Sequence, residues 1–134
     1  MGYTYPQKIL FKHCDPAGIV FYPRYFEMMN DCIEAFFDDV LGLPFSSLHK
    51  IGAVPTAEIS TRFLTPGKLG DLLAIRLEVS SLGRSSLGLH LRATCDEETR
   101  FETTSTLVLV DSAGRPTAWP DPVREKIQMC LKET

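Results

Sequence analysis

One carboxylate, Asp15, stands in a stretch whose neighbours equip it for chemistry on a carbonyl: His13-Cys14-Asp15-Pro16-Ala17-Gly18-Ile19-Val20-Phe21-Tyr22-Pro23-Arg24-Tyr25-Phe26-Glu27. Pro16 fixes the loop that carries it, and Gly18 loosens it. The loop runs into the one long helical pattern of the chain. Pro23 suits the first helical position, where a missing N–H costs nothing and the fixed φ fits. The first N–H groups of a helix have no partner within it and carry the positive end of its dipole. A polarised carbonyl can sit there, with a carboxylate a few residues upstream to act on it, which is the arrangement acyl transfer needs. Taken alone, an aspartate before a proline is ordinary turn chemistry, so the neighbours carry this reading.

Other chemistries find less support. His13 and Cys14 adjoin the aspartate and suggest a cysteine nucleophile, but neighbours along an extended chain point to opposite faces, and Cys14 reads more simply as a small packing residue. Cys14, Cys32, Cys95 and Cys130 are scattered with no Cys-x-x-Cys pair, so reduced thiols are expected. His13, His49 and His90 are equally dispersed, and no metal site is expected. A formal charge of −3 gives no overall reason to expect a nucleic-acid partner. The first ten residues lack the apolar core of a signal peptide and no apolar run is long enough to span a bilayer, so a cytoplasmic protein without a membrane partner is expected.

The elements that must position Asp15 follow from hydrophobic period. With 44% hydrophobic and 23% charged residues, 134 residues suit one soluble globular domain, 1–134. Tyr3, Tyr5, Ile9 and Phe11 share an alternating face and predict a first strand, with Pro6 favouring an edge or a late start. From about Pro23 to Leu41, Phe26, Met29, Ile33, Phe36, Phe37 and Val40 recur at helical spacing. Glu27, Asp31, Glu34 and Asp38 form a second, solvated stripe, and Gly42 followed by Pro44 ends the helix. Ser46 to Lys50 suggests a short helical turn.

Four strand patterns come next. Ala57, Ile59, Thr61 and Phe63 alternate before a break at Pro66-Gly67. Leu73 to Val79 and Leu87 to Ala93 also alternate, and Arg100 to Val110 is rich in Thr and Val. The short links after Leu82 and Cys95 are hairpin length, so these strands run antiparallel. Asp121 can cap a last helix that carries Val123, Ile127 and Leu131. An apolar helix face and an apolar sheet face must cover each other, which gives a two-layer α+β domain: a five-stranded antiparallel sheet wrapped around one long helix.

The stretch Asp-Pro-Ala-Gly-Ile-Val-Phe-Tyr-Pro-Arg-Tyr resembles the signature of the 4-hydroxybenzoyl-CoA thioesterase family, whose fold is the hotdog. Many relatives have histidine after the tyrosine, whereas the aryl-CoA branch has proline, as here at Pro23. The resemblance implies an acyl-CoA thioesterase acting on an aromatic, 4-hydroxybenzoyl-like acyl group. Asp15 would be nucleophile or general base, and the Tyr22 backbone N–H would polarise the thioester carbonyl. Gly18 of the same loop falls with the substrate-binding residues. Asn30 stands where the 4-hydroxybenzoyl branch has an aspartate against the ring hydroxyl. Arg84, Ser85 and Ser86 fall in a hairpin where related thioesterases hold the CoA phosphates. No cofactor is implied, since CoA is part of the substrate. The resemblance also implies a homodimer, assembled into a homotetramer, with the site at the junction of two sheets. A non-catalytic hotdog protein that binds acyl-CoA or acyl carrier protein is the alternative; the placed carboxylate argues against it.

Overall fold

The structure, a computed structural model, describes residues 2–133, with side chains through residue 131. Its elements in chain order are β1 (Tyr3–Lys8), a 3-10 turn (Phe11–His13), α1 (Pro23–Asp39), α2 (Phe45–Leu48), β2 (Thr56–Phe63), β3 (Leu72–Leu82), β4 (Ser86–Cys95), β5 (Glu98–Val108) and α3 (Asp121–Glu133). The strands form a five-stranded antiparallel sheet in the order β1-β3-β4-β5-β2. This is an α+β architecture.

The core lies between the inner face of the sheet and α1. Leu73, Ile75, Leu77 and Val79 of β3, Leu87, Leu89, Leu91 and Ala93 of β4, and Phe101, Thr103, Ser105 and Leu107 of β5 all point inward and are buried, as period-two alternation requires. α1 buries Tyr25, Met28, Met29, Cys32, Ile33, Phe36 and Phe37 against them. Its end is closed by the Leu43 N–H donating to the Phe37 carbonyl at 2.9 Å over Gly42, which sits at φ 63. The acidic stripe Glu27, Asp31, Glu34 and Asp38 is exposed.

Four features differ from the sequence reading. β1 ends at Lys8, and Phe11 turns out on the 3-10 turn, 83% exposed. Ile9 stays fully buried, so the alternation that included Phe11 stopped one residue past the strand. The core stripe of α1 is rotated toward Tyr25 and Met28, leaving Phe26 and Val40 half-buried. The described residues form three helices, the expected short turn and terminal helix among them, so the sheet is not served by one long helix alone. α3 packs against β3 and buries Val123 and Ile127. Finally, β2 pairs only with β5, and all but one of its residues are exposed. Its register places Ile59, Thr61 and Phe63 opposite Ser105, Thr103 and Phe101, hence on the inner face, yet Ile59 is 44% and Phe63 45% exposed. Among the described residues no helix is long and apolar enough to cross a membrane.

Candidate active site

The signature stretch folds as a small hairpin leading into α1. His13 accepts from the Phe21 N–H at 2.9 Å, Cys14 bridges Val20, and the Asp15 N–H donates to Ile19 at 3.0 Å. At the tip, the Gly18 N–H donates to the Asp15 carbonyl at 3.0 Å, closing a turn that needs φ 81 at Gly18. A side chain at Gly18 would meet nothing within 4 Å, so the glycine serves backbone conformation and not close packing. Asp15 Oδ1 accepts from the Ala17 N–H at 2.9 Å. The turn role and a chemical role are therefore compatible: one carboxylate oxygen holds the turn, and among the described residues no group bonds the other.

Tyr22 is the N-cap of α1, with Pro23 at the first helical position. The N–H groups of Phe21, Arg24 and Tyr25 are taken by the carbonyls of His13, Phe21 and Tyr22, and Pro23 has none. Among the described residues the Tyr22 N–H alone in this segment has no acceptor. The Tyr22 ring is 59% exposed and meets Phe63 of β2 edge-on at 5.8 Å. A cleft of about 240 Å³ opens here between the helix start and the segment 63–67, lined by Ile19, Val20, Tyr22, Tyr25, Phe63 and Leu64 among others.

Two supports of this loop were not visible as such in the sequence. His13 is 7% exposed, and its Nδ1 accepts the Leu10 N–H at 2.8 Å. Burial, with help from Lys12 and Arg24, lowers its pKa, so the ring is a neutral structural acceptor. Cys14 Sγ points to the Leu10 carbonyl at 3.6 Å. Neither forms a nucleophile–base pair. The second support is the segment after β2. Gly67 accepts from the Val20 N–H at 2.9 Å, and a Cβ on it would collide with the Tyr25 hydroxyl. That hydroxyl is buried, and burial raises its pKa against the opposing, lowering effect of the Gly67 backbone.

The segment is held from below by Arg100. Its guanidinium bonds the Glu98 carboxylate and, at 3.3 Å, that of Asp71, whose Oδ2 also accepts the Lys68 N–H at 2.9 Å. Burial works against the Arg100 charge, but these two carboxylates outweigh it and raise the pKa. Pro66-Gly67 was the only sequence signal of this wall, and it read as a break.

The remaining expected residues lie elsewhere in the chain. Asn30 is exposed on α1, seven residues from Pro23, and lines a separate cavity of about 310 Å³ together with α2 and the segment 53–56. Arg84, Ser85 and Ser86 form the β3–β4 hairpin, whose carbonyls are committed to the C-terminal segment: Leu109 N–H to Ser85 at 2.7 Å, Trp119 N–H to Arg84 at 3.1 Å and Trp119 Nε1–H to Ser86 at 3.1 Å. β1 pairs Lys8 with Leu72, so the signature loop sits at the start of β3 and the hairpin at its end. Eleven residues of strand separate them, roughly 33 Å. One chain alone does not bring Arg84 to Asp15. Among the described residues no group of three or more His, Cys, Asp or Glu side chains is placed to hold a metal ion.

Known proteins resemble the chain in family and fold. A search of the curated proteins gives no match. Among solved structures, a gentisyl-coenzyme A thioesterase superposes with a TM-score of 0.85 at 25% identity, covering 93% of this chain and 99% of that one. A thioesterase from Thermus thermophilus, complexed with coenzyme A and Zn, gives 0.83 at 25%, covering 96% and 93%. A 1,4-dihydroxy-2-naphthoyl-CoA thioesterase from Synechocystis gives 0.87 at 17%, covering 96% of each, a likeness of fold. The thioesterase-like superfamily matches residues 9–127, from the end of β1 to the middle of α3 and so across the whole hairpin-and-helix unit around Asp15. The chain belongs to the thioesterase-like superfamily and is a thioester hydrolase.

Proposed function

We propose that the chain hydrolyses an acyl-CoA thioester with an aromatic acyl group, in the manner of the 4-hydroxybenzoyl-CoA branch, to the free acid and CoA. The observation that carries this is the helix start: Asp15 keeps one carboxylate oxygen uncommitted, and Tyr22 keeps its N–H without an acceptor. The aromatic acyl groups in the names of two structural neighbours support the class of substrate. With the thioester oxygen on the Tyr22 N–H, charge developing on that oxygen meets a donor and the positive end of α1. Two routes then use Asp15. Its free oxygen attacks the carbonyl carbon, the C–S bond breaks, CoA leaves as thiolate, and water cleaves the resulting anhydride to restore the carboxylate. Otherwise Asp15 takes a proton from water as the water attacks the same carbon, and the thiolate leaves. Thiolate is a good leaving group, so neither route needs the neutral, buried His13.

Residues 1–134 act in this reading as one hotdog domain wrapped about α1, paired with a second copy along β2. Three features support that interface: β2 is a free edge, its inner face is uncovered, and the CoA-phosphate candidates Arg84, Ser85 and Ser86 lie at the wrong end of their own chain. A two-fold axis perpendicular to β2 runs the partner strand antiparallel, turning the partner's hairpin end toward the Asp15 end of this chain. Each dimer then holds two equivalent sites, and two dimers make the tetramer. The test is free-thiol release from a panel of aryl-, arylacetyl- and alkyl-CoA esters. Turnover with aryl esters preferred supports the proposal. Tight binding of the panel without thiol release would instead make the chain a non-catalytic acyl-CoA binder.

A further inference from the structure

We propose that Arg100 and Asp71 are positioning residues for the carboxylate at the start of α1: through a relay of bonds across the segment 64–71 they set where the Asp15 hairpin stands against the Tyr22 N–H. This rests on the thioesterase reading and adds to it residues that touch no substrate.

Strand register is the first argument. β4 and β5 pair Ala93 with Phe101 and Thr94 with Thr99, so Arg100 is the extra residue of a β-bulge. A bulge bends its strand and re-aims the side chain it carries. It also turns the main chain to a new use: the Arg100 carbonyl accepts from the Leu64 N–H at 2.9 Å and the Thr65 N–H at 3.4 Å, just past the end of β2. The guanidinium meanwhile bonds Asp71, just before β3. One residue thus holds both ends of the segment.

Continuity is the second argument. Asp71 Oδ2 accepts from Arg100 Nη2–H at 3.3 Å and from the Lys68 N–H at 2.9 Å. Lys68 forms a β-bridge with Ile19, and Gly67 accepts from the Val20 N–H at 2.9 Å. Ile19 in turn accepts from the Asp15 N–H at 3.0 Å. Every link from Arg100 to Asp15 is a hydrogen bond or a bridge. Misplacing a reacting group by about 1 Å costs on the order of a hundredfold in rate, so such a relay can govern turnover without meeting the substrate.

Energetics is the third. The Arg100 side chain is 8% exposed, whereas those of Asp71 and Glu98 are 22% and 60% exposed. Taking a guanidinium out of water is expensive, and a buried ion pair is often no more stable than apolar side chains of similar volume. The carboxylates stand near enough to solvent to be rehydrated if the cation is removed. Stability alone therefore gives no reason for a charge here. Directed bonds to Asp71 do, because no apolar side chain supplies them.

Arg100→Met separates position from stability. Its urea midpoint should equal or exceed that of wild type. Its kcat with the best aryl-CoA ester should fall by at least about tenfold, with KM changed by less than about threefold. Amide hydrogen exchange gives a readout that needs no turnover. The amides of Asp15, Val20 and Lys68 should exchange at least about tenfold faster, while those of Leu89 and Leu91 in β4 keep their wild-type rates. Asp71→Ala, which leaves Arg100 paired with Glu98, should show the same fall in kcat and the same local exchange. Wild-type kcat or unchanged exchange at these amides overturns the proposal, and Asp71→Ala decides it should Arg100→Met not fold. Exchange that rises equally through β4 also overturns it, since Arg100 would then support the whole fold. Faster exchange confined to the relay, in a chain that cleaves no ester of the panel, upholds the relay and removes the hydrolase reading.

Discussion

The pKa of His13 gives a stability prediction that can be worked through from its surroundings. Its Nδ1 must be unprotonated to accept the Leu10 N–H at 2.8 Å, and its burial disfavours the charged ring. The folded pKa is therefore below the ordinary 6.5, while the unfolded chain titrates near 6.5. Above that value neither state binds the proton and stability does not depend on it. As pH falls below 6.5 the unfolded state takes up a proton that the folded state refuses, so stability falls until the folded pKa is reached. If the ring stays neutral throughout, the loss from pH 8 to 5.5 reaches about 1.4 kcal/mol. His13→Asn keeps an acceptor oxygen close to the Nδ1 position and removes the titration, so its difference from wild type isolates this group from the other histidines. Urea unfolding of both proteins between pH 8 and 5.5 is the assay, stopping before the carboxylates titrate. The wild type should converge on the variant or drop below it as pH falls. Two parallel curves would show that His13 takes up no proton on unfolding in this range. Should the loop be the first part to yield, acid should also reduce turnover before global unfolding, because His13 and Phe21 close the hairpin that carries Asp15.

Three further outcomes follow from single residues. Gly67→Ala places a Cβ against Tyr25 and Ile9, so it should destabilise by about 1–3 kcal/mol in thermal melts and lower turnover by moving the wall bonded to Val20. Glu97 sits at φ 66 in the two-residue β4–β5 turn beside Asp96 at φ 51, so Glu97→Gly should stabilise by about 0.5–1 kcal/mol, relief of left-handed strain exceeding the added chain entropy. Mixing equal amounts of Asp15→Asn and Arg84→Glu chains, each weak alone, should restore about a quarter of wild-type turnover after exchange, because half the dimers are mixed and each carries one intact site. No recovery in exchanged dimers would show that no site combines Asp15 of one chain with Arg84 of the other.

The sheet and helices were legible because their signals are local and periodic. Alternation in β3 and β4 matches the buried rows Leu73 to Val79 and Leu87 to Ala93. Helical spacing with Pro23 and Gly42 bounds α1 to within two residues. Where the reading slipped, the cause was an element that periodicity does not weigh. Phe11 continued the alternation of β1, but the chain turns at Leu10, and the turn exposes it. Tyr25 outcompeted Phe26 for the core because Phe101 and Gly67 leave space on its side of α1. The loop around Asp15 was recognisable from its own residues, and its turn chemistry was foreseen. Its dependence on Gly67, Asp71 and Arg100 was not, since those contacts join segments some fifty to eighty residues away through tertiary packing. The distance between Asp15 and the Arg84 hairpin is likewise a property of strand order, which no short motif encodes.

In the proposed mechanism the free carboxylate oxygen of Asp15 performs the chemistry at the start of α1, and the Asp15→Asn variant removes it while keeping the side chain's shape. Asparagine retains the Oδ1 acceptor for the Ala17 N–H, so the turn should hold and unfolding free energy should stay within about 0.5 kcal/mol of wild type. Thiol release from the best aryl-CoA ester should fall by at least about a hundredfold, with binding of that ester retained. Near-normal thiol release by this folded variant would remove Asp15 from the mechanism.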